Sequence, residues 1–362
     1  MPNPNSIIIR FIGFINHYFG WRNWSVLHYN SITENVFLIF YIALRDQLYS
    51  QKFIGDFFIF IFFSMFSTTY GYLINDFADK ELDALHGKGN TFKNDSVWKA
   101  GIIVAVFMAL SLIAGMIFLE NRLFLPLWVC WFFIATFYSL KPIRLKERGW
   151  IGLLFVVIAQ RVLPTLLVFA AFKHLEAVDM IVFTAYIFAR GLSSDLNHQL
   201  EDYQKDNMTG TETYAKKTGL TRAENAFRFT LEAEKIFIIP CLIIAHVRLS
   251  HLQLLGIPLL LPLLIGYIIL YGLSLKKLSN SMRLLDINPY IAGRKDIFQF
   301  IHHTFPSVVL PFYLLLILLY EAKGIGFALL LLIFVFYRRL YSISLIKNSF
   351  PVQSLYNLVK RI

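Results

Sequence analysis

Residues 56–83 read DFFIFIFFSMFSTTYGYLINDFADKELD. From Phe57 to Asn75 there is no charged side chain. That uncharged run is close to the ~20 residues a helix needs to cross a hydrocarbon core of about 30 Å. It ends in four acids, Asp76, Asp79, Glu81 and Asp83. If the helix continues, Asn75, Asp79 and Asp83 stand at i, i+4 and i+8 and share one face, with Asp76 off that stripe.

Similar runs fill the chain on either side. Nine segments are predicted to span a membrane, at about 30–47, 56–75, 100–119, 123–140, 151–172, 178–194, 230–247, 252–275 and 298–320. A tenth run, 324–337, is short. Of the 362 residues 57% are hydrophobic, 17% aromatic and only 16% charged. Soluble domains are nearer 45–50% apolar. The expected fold is all-α, a polytopic membrane helical bundle. It divides into an interfacial segment at 1–29, a membrane domain at 30–320, and a further helix with a basic tail at 321–362.

The net charge of +11 fits the enrichment of Lys and Arg on cytoplasmic loops. Connections after the second, fourth, sixth and eighth runs carry most of the cations, including Lys88, Lys99, Arg148, Arg190, Lys216 and Lys276. The opposite connections hold only Arg45, Lys52, Arg122, Lys173, Arg248 and Lys323. This places the acidic ends on the cytoplasmic side of the cell membrane. No soluble basic face is visible, which argues against a nucleic-acid partner. Cys130 and Cys241 lie in apolar runs without metal-ligand spacing and read as buried thiols. Ser6 to Ile15 is apolar but broken by Arg10, and reads as an interfacial amphipathic helix rather than a secretory leader.

A second acidic stretch follows the sixth run: Asp195-Leu-Asn-His198-Gln-Leu-Glu201-Asp202-Tyr-Gln-Lys-Asp206. Asp202 and Asp206 are again i, i+4, and Asp195 falls near the same stripe. Grouped carboxylates at a membrane border repel one another and resist desolvation. A hard divalent cation relieves both penalties. Mg²⁺ in particular bridges a few carboxylates to substrate phosphates. Two facing stacks would grip a diphosphate and neutralise it as a leaving group.

These residues carry a resemblance. Asn75-Asp76-x-x-Asp79-x-x-x-Asp83 resembles the first signature of the UbiA prenyltransferase superfamily, and Asp202-x-x-x-Asp206 its second, with Gly210, Thr213 and Gly219 following as in that family. Tyr138-Ser139-x-x-Pro142-x-Arg144-x-Lys146 is similar to the stretch closing the family's fourth helix. The resemblance implies nine spans around a central cavity, two Asp motifs binding Mg²⁺ and an isoprenyl diphosphate, and transfer of the prenyl group to an acceptor. It implies metal ligation by Asn75, Asp79, Asp83, Asp202 and Asp206, with Asp195 in support. Asp79, Asp202 and Tyr138 are the expected catalytic residues. Lys80, Lys141, Arg144, Lys146 and Ser139 are expected to bind substrate. The loop Leu85-His86-Gly87-Lys88-Gly89-Asn90-Thr91 departs from the family's Asn-Pro-Arg pattern.

The resemblance implies an aromatic acceptor, as in quinone biosynthesis, with phosphoribosyl and glycerol-phosphate lipid acceptors as alternatives. His86 and the His302-His303 pair are candidate catalytic groups, His86 as a base on an acceptor, while His198, four residues before Asp202, is read as a hydrogen-bond partner of that carboxylate. A transporter is the rival class, but it calls for ionisable groups at mid-bilayer and broken helices. A scaffold that has lost catalysis is the other rival. The acids here gather at helix ends.

Overall fold

A computed structural model describes residues 4–19, 31–85, 87–278, 283–336 and 350–359. His86, residues 1–3 and 20–29 of the expected interfacial segment, and residues 337–349 and 360–362 of the expected helix and tail lie outside the described residues. The chain opens with α1 (Pro4–Phe14), which runs into a π-helical turn (Ile15–Phe19). Then come α2 (Ser31–Arg45), α3 (Gln51–Leu85), α4 (Val97–Gly115) and α5 (Phe124–Ser139). The next span is α6 (Trp150–Val157), a π-helical turn (Ile158–Val162) and α7 (Leu163–Ala171). After it follow α8 (Ala177–Glu201), the short α9 (Tyr203–Thr209) and α10 (Tyr214–Thr218), and α11 (Leu220–Arg248). The last third holds α12 (Leu261–Leu278), α13 (Leu284–Ile287), α14 (Ile297–Gln299), a π-helix (Phe300–Val309), α15 (Leu310–Glu321), α16 (Lys323–Phe336) and α17 (Phe350–Val359).

Each predicted span falls on helix, the eighth only from Leu261 on. Among the described residues six helical stretches are long and apolar enough to cross a membrane: Gln51–Leu85, Val97–Phe118, Trp150–Ala171, Ala177–Glu201, Leu261–Leu278 and Ile297–Glu321. The first and fourth predicted spans form shorter apolar helices. The seventh lies on α11, whose apolar half is interrupted by Glu232, Glu234 and Lys235. The eighth starts later than predicted. Residues 253–258 make a two-stranded hairpin pairing Gln253 with Pro258 and Leu254 with Ile257. Leu255 and Gly256 both take positive φ, 53° and 78°, the pattern of a two-residue hairpin turn in which glycine is the favoured second residue.

The helices pack through aromatic and branched side chains. The largest apolar core joins Phe37–Leu44 of α2 to Phe57, Phe60 and Ile61 of α3, Phe169 of α7, Phe183 and Tyr186 of α8, Cys241 of α11 and Leu314 of α15. Cys241 is buried as expected, whereas Cys130 is exposed on the outside of α5. Arg190 is no loop cation but a buried residue well inside α8. Close contact between α8 and the junction of α6 with the π turn at Ile158–Val162 depends on Gly191. A Cβ there would lie 2.7 Å from both Arg161 Cγ and Val157 Cγ1.

Candidate active site

α3 has 35 residues. At 1.5 Å per residue it is about 52 Å long, well beyond a ~30 Å hydrocarbon core. Its last turns therefore carry Asn75 to Asp83 to the membrane border, where carboxylates escape the cost of lipid.

Two residues from the loop after α5 meet this end. Arg144 takes φ 42°, a left-handed conformation that non-glycine residues seldom adopt. Its Nη2 donates to Asp79 Oδ1 at 3.1 Å and its Nε to Glu147 Oε1 at 2.5 Å. Lys146 Nζ bonds to Asp79 Oδ2 and donates to Asn75 Oδ1 at 3.3 Å. Burial holds the Lys146 ammonium below the usual lysine range in spite of Asp79. Ser139 Oγ donates to Asn75 Oδ1 at 2.6 Å. Asn75, Asp79, Ser139, Arg144 and Lys146 thus form one connected group.

The other predicted site residues stand as follows. Asp83 accepts from Asn90 Nδ2 at 2.8 Å. Asp76, off the expected stripe, is buried and accepts from Thr91 N at 3.0 Å and Thr91 Oγ1 at 2.6 Å. Lys80 turns away from the group to the Asp95 carbonyl. Lys141 is exposed. Asp202, at the end of α8, is exposed and pairs with Lys205 at 2.7 Å. Asp206 is buried and accepts from Thr213 Oγ1 at 3.0 Å. Burial pushes the Asp206 carboxyl above its usual range, against the Thr213 hydroxyl and the charges of Lys88 and Lys216. Asp195 is buried, and its Oδ2 has no hydrogen-bond partner among the described residues. His198 lies 3.8 Å from Glu201.

Both acidic segments lie on one side. The charges of Asp195, Asp206 and Asp79 all act on the Tyr138 hydroxyl, and Lys88 from the loop after α3 acts on Asp206. The loops are also stitched together, Gly149 N donating to Glu212 O at 3.2 Å. Among the described residues no three His, Cys, Asp or Glu side chains come close enough to hold a metal ion by themselves.

From this group a cavity of about 190 Å³ leads into the bundle. Asn75 and Tyr138 line its polar end, with Tyr72, Gly71, Thr68, Ser67 and Ser64 of α3 following, and Phe60, Phe63 and Leu167 deeper in. Trp131 of α5 and Gln160 of the π turn at Ile158–Val162 face it from the other side. Asn75 to Phe60 spans about 22 Å of helix.

A second polar cluster was not foreseen from sequence. Arg190 Nη1 donates to Glu234 Oε1 at 2.7 Å and also bonds the His302 carbonyl. His302 Nδ1 lies 3.2 Å from Glu234 Oε2, and Ser193 Oγ donates to that oxygen at 2.6 Å. Ser193 Oγ also meets Tyr290 OH at 3.0 Å. The available signal was Arg190 and Glu234 lying inside apolar runs, where an ionisable group marks a buried partner or a function.

The UbiA prenyltransferase family profile matches residues 36–288. No curated protein matches. Among solved structures, a UbiA homologue from Archaeoglobus fulgidus bound to DMAPP and Mg²⁺ is similar at 17% identity and a TM-score of 0.52, over 79% of this chain and 96% of that one. A digeranylgeranylglyceryl phosphate synthase structure is similar at 13% identity and a TM-score of 0.50, over 88% of this chain and 98% of that one. At these identities the likeness is one of fold. With the profile spanning well over half the chain, this multi-pass membrane protein belongs to the UbiA prenyltransferase family.

Proposed function

We propose that the chain transfers an isoprenyl group from its diphosphate to an aromatic acceptor, with Mg²⁺, at the cytoplasmic face of the cell membrane. The carrying observation is a long, mostly apolar cavity whose polar end, Asn75 and Tyr138, abuts the Asp79–Arg144–Lys146 group. An isoprenyl diphosphate has the same two-part character.

The donors fit Mg²⁺. It takes oxygen ligands and commonly binds through one or two carboxylates with waters and substrate phosphates, so no three-carboxylate cage is needed. The charges of Asp195, Asp206 and Asp79 all act on a single hydroxyl, that of Tyr138. The unpartnered Asp195 Oδ2 adds an oxygen to that set. Asn75, Asp79, Asp202 and Asp206 would hold the ion, while Asp83, engaged by Asn90, shapes the loop. Bound there, Mg²⁺ supplies charge neutralisation for the departing diphosphate.

The chain's own residues do the rest. Arg144 and Lys146 present charge-assisted donors to the diphosphate oxygens. The carbon–oxygen bond breaks with its electron pair leaving on the diphosphate. The allylic carbon then bonds to the acceptor, which gives up a proton. Phe60, Phe63 and Leu167 keep water from the isoprenyl chain, and the Trp131 and Tyr138 rings offer π faces to a cation.

Purified protein in proteoliposomes, given labelled isoprenyl diphosphate with aromatic, glycerol-phosphate lipid and phosphoribosyl acceptors, tests the reading. Label should move to the aromatic acceptor only with Mg²⁺ present. Transfer that persists both in EDTA and in Asp79→Asn would sink the metal assignment.

A further inference from the structure

The N-terminal helix connects to the first acidic motif through an unbroken series of bonds. His17 Nε2 lies 3.0 Å from the Thr91 carbonyl oxygen. Tyr18 is buried and donates to Asp95 Oδ2 at 2.7 Å. Its ring packs beside Phe92 with centroids 6.1 Å apart. The segment so held is the one that grips the motif: Thr91 binds Asp76, Asn90 binds Asp83, and the Asp95 carbonyl takes Lys80.

Among the described residues the helix leaves much of its apolar surface uncovered by the bundle. Ile7, Ile8, Ile9, Phe11, Ile12 and Phe14 are 44–69% exposed, too much apolar surface on one short element to face water. α1 has 11 residues, about 16 Å of helix, and cannot cross a ~30 Å core. Its depth is fixed by Tyr18, which packs in one cluster with Leu73 and Ile74 near the acidic end of α3 and with Ala100 and Ile103 in the first turns of α4. That is the level at which two spanning helices leave the hydrocarbon. An apolar helix lying at this level, with one cation at Arg10, suits the boundary between headgroups and acyl chains.

We propose that α1 is a strap embedded in the lipid border on the side of the acidic motifs, and that its embedding holds residues 90–95 down on Asp76 and Asp83. The partner is the bilayer surface itself. Lipid thereby helps to set the position of the carboxylates at the cavity mouth.

Amide exchange across residues 87–96 tests this with the full chain in phosphatidylcholine–phosphatidylglycerol nanodiscs. It reports the strap whether or not the chain transfers a prenyl group, so its failure is separable from failure of the function proposed above. Ile8→Glu with Ile12→Glu should raise exchange at Thr91 and Phe92 by on the order of tenfold and leave Phe57–Leu73 unchanged. Tyr18→Phe, a milder change that keeps the packing, should raise it in the same direction. A nitroxide at Ile9→Cys, in a Cys130→Ser background, should be relaxed more by oxygen than by an aqueous nickel chelate. Unchanged exchange in both variants overturns the proposal. So does a label open to nickel, which means water covers the helix, or one closed to both reagents, which means a second protein copy does.

Discussion

Lys146 and Asp79 are 67 residues apart in sequence and bonded in space, joining the loop after α5 to the acidic end of α3. The same ammonium reaches Asn75. Removing the charge while keeping the length, as in Lys146→Met, takes away a donor proposed to hold the diphosphate. Charged hydrogen bonds are worth about 1.5–3 kcal/mol, so kcat/KM should fall roughly ten- to hundredfold, mostly through KM. Asp79→Asn should lower kcat by on the order of a hundredfold or more, with isoprenyl diphosphate binding less affected. Steady-state kinetics with varied diphosphate separates the two patterns.

The cavity's bore depends on small side chains on α3. Gly71 faces Trp131, whose ring carbon would be 3.8 Å from an added Cβ. Gly71→Leu should plug the channel above Phe63 and abolish transfer of long isoprenyl chains while sparing short ones. Phe63→Ala should enlarge the deep end and extend the accepted chain length. Product profiles from mixed diphosphates of different lengths decide both. An unchanged profile in Gly71→Leu would show that the chain runs elsewhere.

Arg190 and Glu234 tie α8 to α11 far from water. Breaking a buried pair by removing one partner typically costs about 3–5 kcal/mol. Arg190→Met should therefore lower the thermal midpoint in detergent sharply. Adding Glu234→Gln should restore part of it, because the stranded charge is gone. Equal losses for single and double variants would contradict this account.

His174 stands between Asp46 Oδ2 at 2.7 Å and Asp179 Oδ2 at 2.9 Å, on the side away from the acidic motifs. Burial opposes its charge, but the bonds to Asp179 and Asp46 outweigh it and raise the imidazolium to about 9. Because the folded value lies above the unfolded one, the stabilisation is fully present below about pH 6.5. It fades as pH rises through about 9, by on the order of 3 kcal/mol. Melting of the wild type should drop across that window, and melting of His174→Gln should be flatter.

The helices were legible in the sequence because a lipid solvent demands long uncharged runs, and α3 shows one from Phe57 to Asn75. The i, i+4 spacing of Asn75 and Asp79 likewise carried over, since both belong to one helix. Contacts made across the fold were not legible. Thr91 on Asp76 joins residues whose own neighbourhoods give no hint of a partner, and Arg190 and Glu234, though each is a charge inside an apolar run, carry no local sign that they pair with each other. Arg190 was read as a loop cation because charge counting ignores depth. The hairpin at 253–258 interrupts an apolar stretch, and its signal was local, in Gly256 and Pro258.

Position 191 has little freedom to vary over evolutionary time. With Arg161 and Val157 each 2.7 Å from where a methyl would go, even alanine would wedge α8 away from the π turn that carries Gln160 to the cavity wall. A lineage that relaxed this spot would have to rebuild the neighbouring helix before it could keep the same channel.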